Sequence, residues 1–338
     1  MTLTEEGLMP VPGMLSRWVR LPGGTKAHYM TSGETGPAVV LLHGGIAGSS
    51  GTAGFRFMAP FLGAHGFRVY CPSQPGYGLT EDPAEFYTAD EAGHVDFIHD
   101  FTSALCLDRF HLGGNSMGSN NTVNYVVAHP ERVLSFALIP GGVGDLVDMR
   151  ETFSPKNNIE SRGWKDGTGF DGTADSMRRS MTSVVLDPAK VTDDLVEMRT
   201  AVGQRSREAY ERYMANIMPR LTGERIDPNY EARMRTKGRL DEITIPGIYV
   251  WGTQDVLMAH DVDGYRQEDA LPRVQFFYPE NAGHQGQNDQ PELFNDVFLE
   301  FFRDGKVSWE TAQRAGISQR RAPNPDIVAA PAAAPSPR

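Results

Sequence analysis

The chain has 338 residues, 43 Asp and Glu against 32 Lys and Arg, a net charge of -11, 40% hydrophobic residues and two cysteines. That acidic balance excludes a sequence-independent nucleic-acid binder, which neutralises phosphates with Lys and Arg. Cys71 and Cys106 are too few for a disulfide framework and lack the spacing of a metal knuckle. The partner to expect is a small molecule. Glu5, Glu6 and several Pro and Gly stand where a signal peptide needs an unbroken apolar core. The apolar runs 38–42 and 136–139 are far shorter than the roughly 20 residues of a membrane span, so the protein is expected to be cytoplasmic and off the membrane.

Short apolar or β-branched runs predict strands at 16–21, 26–30, 38–42, 67–71, 110–113 and 134–139, with the first ones forming an antiparallel edge. Helical patterns lie between them at 54–64, 90–107 and 116–129, the last stopped by Pro130. This alternation predicts an α/β fold with a mostly parallel sheet and helices on both faces. After Pro140-Gly141-Gly142 strand alternation is lost through residue 239, and helices are predicted at 175–185, 191–204 and 208–218, with Leu195, Met198 and Val202 near helical spacing. This stretch holds 17 basic residues, 13 of them Arg, and 16 acidic ones, so nearly all the excess acidity belongs to the rest of the chain.

Strand signals return at 245–251 and 274–278, around a helical stretch at 261–271, and an amphipathic helix follows at 291–303. The expected organisation is therefore a core of 1–142 and 240–305, an inserted helical lid at 143–239, and a C-terminal extension at 306–338. From about Arg320 the extension is rich in Pro and Ala and poor in large apolar groups, so it is expected to be disordered.

The residues that carry chemistry begin with Gly114-Asn115-Ser116-Met117-Gly118, between the strand at 110–113 and a helix. A G-x-S-x-G turn at that junction lifts a serine hydroxyl above the sheet edge, although the pattern alone is weak and a serine also caps helices. A serine nucleophile needs a base, and the base needs a carboxylate to fix its tautomer. Asp255 follows a strand in Trp251-Gly252-Thr253-Gln254-Asp255, with Asp261 and Asp263 as alternatives, and His284 lies in a late glycine-containing loop. The order Ser, Asp, His fits this geometry. His43-Gly44-Gly45, after the strand at 38–42, offers backbone N–H groups, so Gly45 and Met117 are the expected oxyanion-hole donors, while His43 is not expected to be catalytic.

Together with Gln74-Pro75-Gly76-Tyr77-Gly78 and Ala282-Gly283-His284, these motifs resemble the α/β-hydrolase superfamily from about Gly33 to Arg303. Asn115 before the serine and Pro140-Gly141-Gly142 before the lid make the chain most similar to the meta-cleavage-product hydrolases. Those enzymes cut a carbon–carbon bond in vinylogous diketo acids made by aromatic ring fission. The resemblance implies that no cofactor or metal is needed and that a lid arginine holds the substrate's carboxylate, with Arg179 the best match and Arg178 beside it. It also implies substrate contacts at Asn115, Gly44 and the residue after the histidine. The family usually has Trp there, but this chain has Gln285, and Gly118-Ser119 replaces Gly-Gly.

The main functional expectation is a cofactor-independent C–C hydrolase acting on an anionic small molecule. A carboxylesterase or lactonase uses the same machinery, and a non-catalytic receptor on the same scaffold is the alternative outside enzymology. The chain is expected to act alone or as a homodimer.

Overall fold

The computed structural model describes residues 3–81, 85–148, 169–222, 224 and 227–330. Among them, eight strands form one sheet: β1 (Leu15–Arg20), β2 (Lys26–Ser32), β3 (Ala38–Leu42), β4 (Arg68–Pro72), β5 (Phe110–Asn115), β6 (Val133–Ile139), β7 (Gly247–Val250) and β8 (Gln275–Phe277). Their order is β1-β2-β4-β3-β5-β6-β7-β8. β1 and β2 form the expected antiparallel edge, and all pairings from β4 to β8 are parallel.

Every residue of β3 is buried because successive side chains leave opposite faces of a sheet covered on both sides. Val39 and Leu41 pack with α1 (Gly51–Phe55), α2 (Met58–Ala64) and a late helix, whereas Val40 and Leu42 pack with α3 (Glu91–Ala104) and α4 (Met117–Ala128). The expected helix at 54–64 is thus two helices, α1 and α2.

Between β6 and β7 run α5 (Ala174–Thr182), α6 (Asp193–Arg205), α7 (Arg207–Leu221) and α8 (Pro228–Arg233). Entry and exit of this insertion are stapled together. Asp145 Oδ1 accepts from the N–H groups of Thr236 and Lys237 at 2.7 Å each, and Asp145 N donates to Thr236 Oγ1 at 3.0 Å. Met177, Met181, Leu195, Met198 and Val202 join the same apolar cluster as β3 and α2, so the insertion is packed onto the core. Of the expected lid span, 149–168, 223 and 225–226 lie outside the described residues.

The chain ends through α9 (Tyr265–Ala270), α10 (Gly286–Asp289), α11 (Pro291–Asp304) and α12 (Trp309–Arg314). α11 buries Phe294, Val297, Phe298, Phe301 and Phe302, an i, i+3, i+4, i+7, i+8 stripe, and stops at Gly305 with φ 68°. Losing one such ring to alanine costs about 3–5 kcal/mol.

The disorder expected from Arg320 does not describe residues 320–330. Arg321 donates to Glu268 O at 3.1 Å and Leu271 O at 3.0 Å, Ile327 and Val328 are buried, and Val307 N donates to Ile327 O at 2.7 Å. Two apolar anchors and arginine-to-carbonyl bonds hold a segment whose average composition argues for disorder. Residues 331–338 lie outside the described residues. No helix among the described residues is long and apolar enough to cross a membrane.

Candidate active site

Ser116 occupies the turn between β5 and α4 with φ 58° and ψ -120°, a region that a non-glycine residue enters only when its surroundings enforce it. Glycines on either side allow the turn. A Cβ on Gly114 would lie 2.2 Å from Gly118 O, and one on Gly118 would lie 2.0 Å from Leu42 O. Ser116 N donates to Pro140 O at 2.8 Å, which ties the turn to the end of β6. The serine makes no capping hydrogen bond to α4, unlike Ser50, Asp90, Thr173 and Ser308 at their helices. Helix capping therefore does not account for Ser116, and its half-buried side chain is left for other work.

Asp255 and His284 come from the loops after β7 and β8. Gln254 N donates to Ala282 O at 3.0 Å, and a Cβ on Gly252 would lie 2.3 Å from that same oxygen, so the two loops are in close contact. His284 Nδ1 lies 2.8 Å from Asp255 Oδ2, with both side chains buried. Asp255 Oδ1 accepts from Leu257 N at 2.8 Å and Met258 N at 3.1 Å. A carboxylate only accepts, so it fixes the proton on Nδ1 and leaves Nε2 as a base. That Nε2 is buried and without a hydrogen-bond partner among the described residues. Of the alternative acids, Asp261 is exposed and Asp263 is buried without a bond to His284.

Asn115 joins the two halves of this arrangement. It is buried, and its Nδ2 donates to His284 O at 2.9 Å. This bond holds the histidine backbone beside the serine turn.

The loop after β3 approaches from the opposite side. Cβ atoms built on Gly44 and Gly45 would lie 3.2 Å from Ser116 Cβ and from Met117 Cβ respectively, so Gly44 serves close approach and Gly45 faces Met117. Met117 begins α4, where N–H groups lack intrahelical partners. The carbonyls of the glycine pair are both held: Tyr77 Oη donates to Gly45 O at 3.0 Å, and His43 Nδ1 to Gly44 O at 2.8 Å. His43 Nε2 accepts from Gln74 N at 3.0 Å. Burial lowers the His43 pKa to about 3, so this neutral ring is a structural brace.

The two arginines expected from the lid lie on the outer side of α5. Arg179 is exposed, because α5 buries Ser176, Met177, Ser180 and Met181, and Arg178 pairs with exposed Asp193. Arg199 of α6 is only 3% exposed. Its Nη2 donates to Ala47 O at 2.9 Å and Ser49 Oγ at 3.2 Å, placing the guanidinium on the loop after β3, while Nε finds no partner among the described residues. Among the described residues no carboxylate pairs with it. Burial, followed by the charge of Arg56, lowers its pKa to about 10, so the guanidinium stays charged at neutral pH. The sequence carried a signal for it: Leu195, Met198, Arg199 and Val202 form one buried helical stripe in which a charge is out of place.

A serine on a strained strand-to-helix turn, a histidine oriented by a buried aspartate and a facing glycine loop define the serine-hydrolase class of α/β proteins. The α/β hydrolase fold family matches residues 37–291, and the chain belongs to that family. It is 29% identical over 294 residues to a 2-hydroxy-6-oxononadienedioate/2-hydroxy-6-oxononatrienedioate hydrolase of Pseudomonas putida, covering 85% of this chain and 96% of that one. It is 27% identical to a 2-hydroxy-6-oxo-6-phenylhexa-2,4-dienoate hydrolase of Burkholderia cepacia, with 83% and 92% covered. A solved enzyme of that second kind from Rhodococcus sp. strain RHA1 shares the fold with a TM-score of 0.66 at 24% identity, covering 86% of this chain and 99% of that one.

Proposed function

We propose that the protein is a cofactor-independent serine hydrolase that cleaves a carbon–carbon bond in a carboxylate-bearing diketone or enol-ketone of the ring-fission type. The observation that carries this reading is Arg199, a buried cation without a carboxylate partner on the loop that faces Ser116. A buried guanidinium without a counter-ion is costly, and an anionic substrate supplies the missing partner. The relatives named for 2-hydroxy-6-oxo dienoates support the same substrate class.

The insertion at 143–239 acts as the lid. With the substrate carboxylate on Arg199, the dienol first shifts to its keto form, which places a carbonyl sink next to the bond that breaks. His284 Nε2 then takes the Ser116 proton, and Oγ bonds to the ketone carbon. The N–H groups of Gly45 and Met117 hold the oxyanion, a contact worth about 2.7–4 kcal/mol of barrier per donor. Collapse breaks the carbon–carbon bond, and the leaving carbanion, delocalised into the sink, receives the proton from His284. Water activated by the same histidine then releases the acyl group. Asp255 steadies the imidazolium in both halves.

A carboxylesterase or lactonase shares every one of these parts except the need for Arg199. Purified protein is to be incubated separately with a ring-fission diketo acid and with short-chain p-nitrophenyl esters. Diketo acid turnover at least comparable to ester turnover is expected. Ester turnover larger by orders of magnitude sinks the C–C reading and leaves the esterase.

A further inference from the structure

Glu268 of α9 is 1% exposed, and a carboxylate so deeply buried needs counter-charge. Both of its cations come from the C-terminal extension. Arg320 Nε lies 3.2 Å from Oε2 and Arg321 Nε 3.7 Å from Oε1, and no other cation among the described residues pairs with it. Tyr278 Oη donates to Oε2 at 2.9 Å. Arg321 also donates to the carbonyls of Glu268, Leu271 and Val274, so it caps the end of α9, where carbonyls lack intrahelical partners. The Arg320 guanidinium stacks on Tyr265, 4.1 Å from the ring centroid. The extension reaches this place along the outer edge of β8, where Tyr278 N donates to Gly316 O at 2.7 Å and Ser318 N to Phe276 O at 3.0 Å.

α9 in turn touches both halves of the triad. Gln267, the buried neighbour of Glu268, donates from Nε2 to Gly141 O at 2.9 Å. Gly141 is pressed onto the nucleophile: a Cβ there would lie 2.1 Å from Ser116 O, and the preceding carbonyl, Pro140 O, accepts from Ser116 N at 2.8 Å. The strained backbone of Ser116 persists because its surroundings enforce it, and residues 140–141 do so on both sides of the serine. Towards the acid, a Cβ on Gly264, the residue before α9, would lie 3.3 Å from the Trp251 ring. Trp251 Nε1 donates to Met258 O at 3.2 Å, and Met258 N to Asp255 Oδ1 at 3.1 Å. A helix of six residues is not stable by itself, so its place is set by these contacts and by the two arginines.

We propose that Glu268, Arg320 and Arg321 are positioning residues for the triad: the two cations of the extension seat α9 through Glu268, and α9 holds the Ser116 turn and the Asp255 loop in register. The extension, which lies beyond the residues 37–291 that match the family, is thereby part of the catalytic apparatus. This rests on the triad of the proposed function but not on the bond that is cleaved.

The test reads the nucleophile without a substrate, as the second-order rate constant with which a fluorophosphonate labels Ser116, Oγ displacing fluoride from phosphorus, followed by mass spectrometry. Three full-length variants are compared: Arg320→Gln with Arg321→Gln, the same pair with Glu268→Gln added, and Gln267→Leu. Removing both cations leaves a buried carboxylate alone and shifts α9. A misplacement of about 1 Å costs up to about 100-fold, so labelling should slow by roughly 10–100-fold. Adding Glu268→Gln removes the charge that needed the arginines, and should restore the rate to within about fivefold of wild type. Gln267→Leu keeps every ion pair and loses only the bond to Gly141 O, which should slow labelling by about fivefold. Melting curves place the assay temperature below the unfolding of each variant. A strap that only adds stability would lower the melting temperature of the double variant and leave labelling of the folded protein unchanged. That result overturns the proposal, as does a slowed rate that Glu268→Gln fails to restore. If the double variant does not fold, Gln267→Leu decides, and an unchanged labelling rate there overturns it. Failure of the C–C reading looks different: the diketo acids are not turned over, while labelling still follows the arginine pair.

Discussion

The two walls of this site are built by opposite means. The core wall is mostly backbone: a strained serine turn, glycine-lined N–H groups and two stitched loops, with His43, Tyr77 and Asn115 as braces. The insertion wall is a side chain, Arg199, carried on a helix packed over the loop after β3. Backbone geometry at strand ends serves a reaction that many substrates share. On the proposed function, the buried charge on the inserted helix serves the recognition of one substrate class, because fold alone does not fix specificity.

The difference can be broken from the core side first. Ser116→Ala removes the only atom proposed to form a covalent bond to the substrate, and turnover should fall by at least about 10³-fold while binding of the anionic substrate, measured by titration, persists. Turnover within tenfold of wild type would contradict the core wall's role. A smaller effect is expected from Tyr77→Phe, which deletes the hydrogen bond to Gly45 O but keeps the ring. The loss of about 1 kcal/mol corresponds to roughly a fivefold drop in kcat with KM little changed. A KM effect of that size with constant kcat would place Tyr77 in substrate binding instead.

The seam between the walls is read in stability and leaves the chemistry of turnover aside. His94 of α3 is buried, stacks on Tyr213 of α7 with centroids 4.7 Å apart and 7° between planes, and accepts from Asn121. Burial lowers its pKa from 6.5 to about 4. The folded protein therefore refuses a proton that the unfolded chain takes up below pH 6.5. The stability is fully present above that pH and is lost as pH falls towards 4, by about 1.4 kcal/mol per pH unit for each such histidine. His94→Gln should flatten the dependence of melting temperature on pH between 6.5 and 5. An unchanged slope would assign it to other groups.

How much of this was legible in the sequence follows the same division. The succession of strands along the chain, and the placing of Asp255 and His284 in facing loops, could be read because each loop follows a short apolar run. Arg179, with Arg178 beside it, is what the resemblance implies for the lid, whereas the place of Arg199 on the buried face of α6 is set by the packing of that helix on the core. The bond from Asn115 to the His284 carbonyl, 169 positions away, is one that spacing does not reveal. Residues 320–330 defeated a compositional argument, since Ile327, Val328 and Arg321 anchor a segment that is on average too polar and Pro-rich to order itself.

The central claim is that Arg199 selects an anionic substrate, and it is tested most directly by a ratio. The kcat/KM of a ring-fission diketo acid is to be divided by that of its methyl ester, in the wild-type protein and in Arg199→Met. Removing one partner of a buried charged hydrogen bond costs about 2–5 kcal/mol. The acid should therefore be strongly preferred by the wild type, and the ratio should fall by at least about 30-fold in the variant. A wild-type ratio near one, or a ratio that survives Arg199→Met, would contradict the account.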